Sequence, residues 1–294
     1  MPVAVFAPAK INLYLHVTGR RADGYHLLDS LVAFAAIGDN LTVEPDASLS
    51  LTVGGPEAAP LAALGDDNLV LRAARLLAGQ AGVGAGAAMF LEKNLPVAAG
   101  VGGGSSDAAA ALLALRCLWT LSLDERALCS LGAKLGADVP ACIYGRAVWV
   151  GGVGERVEPA GALPDAGVLL VNPRRALPTA AVFAARCERF GQAKRFAPMP
   201  RDAAGLAETL TSRRNELTDA AIHLVPEVDT VLAQLRALPG SLLARMSGSG
   251  ATCFALFGDR AAAERARATL ATAKPGWWCA AGGFFARPAE AGHR

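Results

Sequence analysis

The chain has 294 residues, of which 53% are apolar and 18% are charged, and its formal net charge is +2. This length exceeds what one small core usually holds, so we expect two domains, with one large α/β domain as the alternative. The balanced charge, without a basic stripe that carries aromatic residues, argues against a nucleic-acid partner, and the strongest apolar run, at 108–115, is too short to cross a membrane.

The first part of the chain begins with strand patterns. Residues 3–19, "VAVFAPAKINLYLHVTG", alternate in polarity and predict two strands broken near Pro8. Two further segments, "HLLDSLVAFA" and "NLTVEPDASLSLTVGG", continue as strands. The segment "DNLVLRAARLLAGQAG" starts with a capping signal and stops at glycine, so it predicts a helix with both ends marked.

The glycine stretch "AAGVGGGSS" separates a strand from a helix. The strand, "GAAMFLEKNLP", ends at Pro96, and we expect the helix to run from about Ser106 to Trp119. A second helix, "LDERALCSLGAKLG", should stop at Gly136. The segment "GRAVWVGGVGERVEP" is typical of a hairpin that turns at "GGVG".

The composition changes near residue 158, where prolines begin to separate short strands, and the predicted domains are therefore 1–158 and 159–294. The second part starts with a strand, "GVLLVNP", and a helix, "TAAVFAARCERF". A loop rich in proline and charge from Lys194 to Asp202 precedes two helices, "NELTDAAIHL" and "EVDTVLAQLRAL". Two strands around a Gly/Ser turn, a helix and a closing strand complete the chain. This mixture indicates an α+β fold rather than a doubly wound parallel sheet.

The cysteines and histidines show no ligand pattern. None of the six cysteines forms a CxxC motif, and no histidine lies at ligand spacing from them. We therefore expect reduced core cysteines, no zinc site and, since the N-terminus lacks a basic leader, a cytoplasmic protein. His16, His223 and His293 have no partner pattern and are interpreted as structural or surface residues.

The order of strand, glycine loop and helix in this stretch is what a phosphate site needs. Glycines let the backbone approach an anion, and a helix N-terminus offers free N–H groups and the positive end of its dipole. Either Ser105 or Ser106 would cap the helix or touch a metal-bound phosphate. No lysine follows the glycines as a P-loop requires, and the GxGxxG pattern fails at Ser105. A flexible connector is the remaining alternative.

Three other patches are weak when each is taken alone. Lys10 and Asn12 are two residues apart and share one face of a strand, which is usually just an exposed face. Asp138 in "LGADVP" has the alternative of a helix cap with proline in the first turn. The turn in "RMSGSGATCFALF" is of a common kind.

Taken together, these patches resemble the GHMP kinases, the family named for galactokinase, homoserine kinase, mevalonate kinase and phosphomevalonate kinase. The motifs that carry the resemblance are "PAKINL", the glycine-serine loop before a helix and the late "SGSGAT" turn. The family implies an N-terminal ATP-binding domain like domain 2 of ribosomal protein S5, a ferredoxin-like C-terminal α/β sandwich domain, and an active site in the cleft between them. "RADGYH" and "GGGSSDAA" narrow the resemblance to a branch whose acceptor alcohol carries a cytidine diphosphate group.

The resemblance implies an ATP-dependent phosphotransferase. A magnesium ion would arrive with ATP, with Ser106 as its candidate ligand. Lys10 and Asp138 would be the catalytic pair, with Asp138 accepting or orienting the hydroxyl proton and Lys10 stabilising the charge of Asp138 and of the transferring phosphoryl group. The residues expected to wrap the phosphates are Pro96, Val97, Ala98, Ala99, Gly100, Val101, Gly102, Gly103, Gly104, Ser105 and Ser106.

The substrate contacts rest on the same resemblance. Tyr25 and Phe183 would stack on cytosine, and His26 would read its edge. Asn12 and Thr179 are further expected contacts. The adenine contacts are not identified, although the segment 65–74 is a candidate.

Two other functions remain open at this point. One is a different GHMP kinase of the homoserine or mevalonate type, against which "RADGYH" discriminates. The other is a non-catalytic nucleotide-binding protein of the same fold, against which the presence of both Lys10 and Asp138 argues. For the assembly we expect a monomer or a weak homodimer.

Overall fold

A computed structural model describes residues 1–61, 65–187 and 189–288. Within these ranges the first strand begins at Val3 and the last strand ends at Phe285, with helices between several of the strands. The strands are β1 (Val3–Arg20), β2 (His26–Asp46), β3 (Leu49–Gly54), β4 (Gly86–Glu92), β5 (Val148–Gly152), β6 (Arg156–Pro159), β7 (Gly167–Asn172), β8 (Leu243–Met246), β9 (Cys253–Phe257) and β10 (Trp278–Phe285).

The helices of the described ranges lie between these strands, along with two short 3₁₀ turns at Ala59–Leu61 and Gly65–Asp67. The α-helices are α1 (Leu69–Ala81), α2 (Gly103–Leu118), α3 (Glu125–Gly132), α4 (Val139–Tyr144), α5 (Thr179–Ala185), α6 (Ala203–Thr211), α7 (Thr218–Leu224), α8 (Glu227–Ala237) and α9 (Arg260–Ala273). None of them is both long and apolar enough to span a membrane.

One continuous sheet links the two parts of the chain. Its main path runs β3-β4-β2-β10-β7-β9-β8, while β1 and β5 also pair with β2. The closing strand β10 makes the connection, because it pairs with β7 along Trp278–Gly283 and with β2 through Phe284 and Phe285. The mixed α+β fold is thereby confirmed. The division into domains 1–158 and 159–294 stays a prediction.

The N-terminal strand departs from its expected form. The predicted break at Pro8 is wrong, since β1 is one strand of 18 residues paired with β2. The pairing register shifts between Pro8 and Ala9, so the proline produces an irregularity without ending the strand. A second shift, between Asn12 and Tyr14, follows soon after Lys10.

Helix α1 forms where both of its end signals are present. Asn68 is the N-cap, and its side chain accepts a hydrogen bond from the Val70 N–H at 2.9 Å. Gly82 ends the helix with a left-handed φ of 63°. The "GGVG" hairpin is also present, as β5 and β6 pair from Val148 to Pro159.

Helix α6 is absent from the sequence-based prediction, although its cap signal is present. Asp202 accepts a hydrogen bond from the Gly205 N–H at 2.8 Å, and Leu206 and Leu210 are buried. The glycine within "AAGLAETLT" lowers helix propensity, and tertiary burial of the leucines overrides it.

Cysteines and histidines occupy mixed environments. Cys142 and Cys253 are buried as expected, and burial raises the pKa of the Cys142 thiol to about 12. Cys117 and Cys187 are exposed, so the expectation of core cysteines is wrong for these two. His16 is buried and structural, accepting the Arg214 N–H at 3.3 Å, whereas His293 lies outside the described residues.

Candidate active site

The glycine stretch and the late Gly/Ser turn are packed into one unit. Gly100 has a φ of 74° and Gly248 a φ of 55°, both in the left-handed region. A Cβ added to Gly100 would lie 2.6 Å from the Gly250 carbonyl oxygen, and one added to Gly248 would lie 2.8 Å from the Gly100 oxygen. The Thr252 N–H also donates to the Ala99 oxygen at 3.2 Å. Residues about 150 positions apart thus meet backbone to backbone, which only glycine permits.

Helix α2 starts three residues before its predicted position at Ser106. Its N-cap is Gly102 with a φ of 63°, and no side chain caps it. The alternative in which Ser105 or Ser106 caps the helix is therefore wrong. The small residues Ala108–Ala111 are buried where the helix packs on β1, β2 and α1. Its N-terminus opens on a cleft that Gly102–Gly104 help to line, so free N–H groups and the positive end of the helix dipole face that space.

The cleft has a volume of about 470 Å³ and is lined by most of the predicted phosphate-binding segment. Within 96–106, Val101 and Ser106 do not line it. Val101 is buried in the core, and its carbonyl oxygen accepts the Lys10 N–H at 2.8 Å. Of the candidate adenine segment, Asp67, Asn68 and Leu69 line the cleft, while the side chain of Asp66 lies outside the described part.

Lys10 and Asp138 meet in this cleft as an ion pair. Lys10 Nζ donates to Asp138 Oδ2 at 2.9 Å, and the side chains are 6% and 44% exposed. Asp138 stands at the N-cap of α4 but makes no capping hydrogen bond, and Pro140 lies in the first turn. The buried lysine therefore fixes a partly exposed carboxylate that lines the cleft, an arrangement suited to holding a hydroxyl proton.

The hydroxyl of Ser106 faces the protein interior, so the structure does not support Ser106 as a phosphate or magnesium ligand. Its Oγ donates to the Pro8 carbonyl oxygen at 2.7 Å and lies 3.3 Å from Cys142 Sγ, and the residue is 1% exposed. Pro8 is also the residue after which the pairing of β1 with β2 shifts its register. Ser105 lines the cleft instead.

Asn12 and Thr179 also line the cleft. The Asn12 side chain donates from Nδ2 to Ser30 Oγ at 2.8 Å, whereas its buried Oδ1 has no hydrogen-bond partner within the described ranges. A buried carbonyl oxygen without a donor is costly, so this atom is an acceptor available to a ligand. Thr179 Oγ1 lies 2.8 Å from Ser249 Oγ, which ties the start of α5 to the Gly/Ser turn.

A second cavity, of about 980 Å³, lies beside the first and contains the predicted cytosine contacts Tyr25, His26 and Phe183. The rings of His26 and Phe183 are stacked, with centroids 4.9 Å apart and planes at 25°. Tyr25 is 65% exposed. Burial, followed by the positive charges of Arg20 and Arg186, lowers the pKa of His26, which favours a neutral imidazole.

The two cavities share part of their lining. Ser105, Asp138, Thr179 and Phe183 line both of them. A group bound in the cleft and a group bound in the second cavity would therefore meet at Asp138. The geometry is that of a transfer reaction between two ligands.

A buried ionic cluster under the glycine loop has no counterpart in the sequence-based prediction. Lys93 Nζ donates to Asp39 Oδ2 and to Asp107 Oδ2, both at 2.6 Å, and all three side chains are almost fully buried. Burial raises the pKa of Asp107 to about 7. The positive charge of Lys93 lowers this pKa, and the negative charge of Asp39 raises it further. Asp39 and Asp107 are far apart in the chain, so no local pattern connects them with Lys93.

The chain matches two family models, and each of them covers part of the candidate site. "GHMP kinases N terminal domain" covers residues 68–146, and "GHMP kinases C terminal" covers residues 193–275. The first includes the glycine loop and Asp138, and the second includes the Gly/Ser turn.

Individual relatives are similar over nearly the whole chain. The 4-diphosphocytidyl-2-C-methyl-D-erythritol kinase of Rhodospirillum rubrum is 52% identical over 275 residues, which cover 94% of this chain and 90% of the relative. The enzyme of that name from Cereibacter sphaeroides strain KD131 is 54% identical over 282 residues, with coverages of 94% and 96%.

Two solved structures are also similar to this chain over nearly its whole length. A crystal structure of 4-(cytidine 5'-diphospho)-2C-methyl-D-erythritol kinase superposes with a TM-score of 0.78 at 38% identity, covering 97% of this chain and all of that one (100%). Homoserine kinase from Cytophaga hutchinsonii has a TM-score of 0.71 at 17% identity, with coverages of 97% and 96%, and therefore shares the fold.

Proposed function

The chain belongs to the 4-diphosphocytidyl-2-C-methyl-D-erythritol kinases of the GHMP kinase family, and from this membership we propose that it transfers the γ-phosphoryl group of ATP to the 2-hydroxyl of 4-diphosphocytidyl-2-C-methyl-D-erythritol. The products are the 2-phosphate and ADP. The reaction belongs to the non-mevalonate route to isoprenoid precursors, and we place it in the cytoplasm, with the protein acting as a monomer or a weak homodimer.

The observation that supports this function most strongly is the meeting of two cavities at Asp138. The cleft beside the N-terminus of α2 suits a triphosphate, because glycine backbone and helix N–H groups favour anions. The neighbouring cavity carries the aromatic and imidazole groups that a cytosine base would use. Asp138 and Lys10 stand where the γ-phosphoryl group and the acceptor hydroxyl would come together.

The transfer needs little covalent chemistry from the protein. The acceptor oxygen forms a bond to the γ-phosphorus, the bond from that phosphorus to the β–γ bridging oxygen breaks, and ADP leaves with the bond electrons. Asp138 accepts or orients the hydroxyl proton. Lys10, fixed 2.9 Å from Asp138, offsets the negative charge that builds up on the transferring oxygens.

Magnesium fits this site as an ion that enters with ATP. Mg²⁺ commonly keeps several waters and uses one or two carboxylates together with phosphate oxygens. Ser105, which lines the cleft, is the residue that would hold it next to the phosphate oxygens, while Asp138 remains with the acceptor hydroxyl. When bound, the ion supplies charge neutralisation at the phosphate oxygens.

Acceptor recognition would use the side chains of the second cavity. Tyr25 and Phe183 offer ring faces to the cytosine, and the neutral form of His26 can both donate and accept at the base edge. Asn12 Oδ1, which lacks a donor among the described residues, is positioned to accept from a sugar-alcohol hydroxyl.

A panel of acceptors tests this function against its alternatives. With ATP and magnesium, kcat/KM should be far higher for the cytidine-diphosphate acceptor than for homoserine or mevalonate. Higher values for one of those would identify a different GHMP kinase. ATP binding without turnover of any acceptor would identify a non-catalytic protein.

A further inference from the structure

The cavity assigned to the acceptor contains an arginine that has no carboxylate partner among the described residues. Arg20 lines this cavity along with Tyr25, His26 and Asp138. Its Nε donates to the Gly24 carbonyl oxygen at 3.1 Å, and no ion pair of Arg20 occurs within residues 1–61, 65–187 and 189–288. The terminal nitrogens of the guanidinium therefore remain available to an anion.

The neighbouring cations are already paired. Arg21 Nη2 lies 2.7 Å from Asp23 Oδ2, and Lys10 is bound to Asp138. Arg186, which also lines the cavity, lies 3.5 Å from Glu216. Positive charge without an acidic partner is thus concentrated at Arg20 in the described part of this cavity.

The loop after β1 holds the Arg20 guanidinium in place. The Arg21 N–H donates to the Tyr25 oxygen at 2.8 Å, and the Gly24 N–H donates to the Arg21 oxygen at 3.0 Å. Gly24 has a φ of 92°, and a Cβ there would lie 3.6 Å from Arg20 Nη2. This tight turn places the guanidinium close to the His26 ring, whose pKa is lowered first by burial and then by the Arg20 charge.

We propose that Arg20 is a specificity residue that binds the diphosphate of the acceptor, with its terminal N–H groups donating to non-bridging phosphate oxygens. The planar guanidinium matches such oxygens in a bidentate manner. The inference rests on the proposed function, since the cytosine contacts Tyr25, His26 and Phe183 of the same cavity would place the attached diphosphate near Arg20.

Direct binding of two ligands separates this role from support of the loop. Calorimetry would measure the affinities of CDP and cytidine for the wild-type protein, Arg20→Gln and the matched control Arg236→Gln, an exposed arginine of α8 that lines neither cavity. For Arg20→Gln we expect CDP affinity to fall about tenfold or more, which is the value of a lost charge-assisted hydrogen bond. Cytidine affinity should not change. Arg236→Gln should bind both ligands as the wild type does, because Arg236 lies outside both cavities.

Turnover provides a second measurement. In Arg20→Gln the KM for the cytidine-diphosphate acceptor should rise about tenfold while kcat is retained, and Arg20→Lys should recover part of the loss. If the wild-type protein is an active kinase and Arg20→Gln binds CDP as tightly as the wild type does, the proposed role of Arg20 is overturned. Equal losses for CDP and cytidine would overturn it as well, because they would show that Arg20 only supports the loop. Wild-type protein that neither binds CDP nor turns over the acceptor would refute the proposed function itself.

Discussion

Asp138 and Lys10 come from a helix start and a strand that are 128 positions apart, yet they meet at 2.9 Å. Asp138→Asn keeps the size of the side chain and removes its charge. We expect kcat to fall by about 10² to 10⁴, the usual contribution of a positioned acid or base, while ATP affinity stays near that of the wild type. Stopped-flow or steady-state kinetics and equilibrium ATP binding measure the two effects. Asp124→Asn, at the cap of α3, is the matched control. Near-normal turnover in Asp138→Asn would remove the residue from its catalytic role.

The exposed ring of Tyr25 is the second residue-scale test. Tyr25→Ala removes a stacking surface worth about 1–3 kcal/mol per base, so KM for the acceptor should rise while kcat changes little. Phe90→Ala is the control, since Phe90 is an exposed aromatic residue that lines neither cavity. An unchanged acceptor KM in Tyr25→Ala would contradict stacking on cytosine.

The glycine loop and the Gly/Ser turn act together at the scale of elements. Gly248→Ala would place a Cβ 2.8 Å from the Gly100 oxygen at a φ of 55°, so it should move the loop. We expect KM for ATP to increase and stability to fall by about 1–3 kcal/mol, the usual cost of such backbone strain. Gly258→Ala has open space around its Cβ and should behave as wild type in denaturant melts and ATP kinetics. If both variants matched wild type, the close packing of the two turns would have no role in nucleotide binding.

Helices α1 and α2 show which parts of the fold could be predicted from the sequence. Helix α1 was predictable because Asn68 and Gly82 mark its ends within the sequence itself. The start of α2 was not, because Gly102 caps it by conformation and Ser106 turns to the Pro8 carbonyl, which is a long-range contact. The motifs predicted candidate site residues, and the structure brings some of them together, such as Lys10 and Asp138. The partner of Asn12, Ser30, depends on strand pairing that no local pattern encodes. The cluster of Lys93 with Asp39 and Asp107 was not predicted either, because its members come from separate elements.

The stability of the whole molecule should depend on pH through Asp107. Its pKa is raised to about 7 chiefly by burial, so the folded state holds the proton more tightly than the unfolded state does. This contribution is complete below the ordinary carboxyl pKa and is lost as the pH rises towards 7. The free energy of unfolding should therefore fall across that range.

Asp107→Asn should weaken the dependence of the free energy of unfolding on pH below about 7, because the amide cannot ionise. Urea unfolding between pH 4 and pH 8 measures the effect, and the exposed Asp165→Asn serves as control because it should keep the wild-type slope. Parallel profiles for Asp107→Asn and wild type would contradict ionisation of Asp107 in the folded state near neutral pH.

Phosphorus NMR of the complete reaction tests the central claim most directly. Purified protein, magnesium, ATP and 4-diphosphocytidyl-2-C-methyl-D-erythritol should give one new phosphomonoester resonance that grows in step with ADP, while the diphosphate resonances of the acceptor are retained. Hydrolysis of ATP to inorganic phosphate without a new phosphomonoester, or no consumption of ATP at all, would contradict the proposed function.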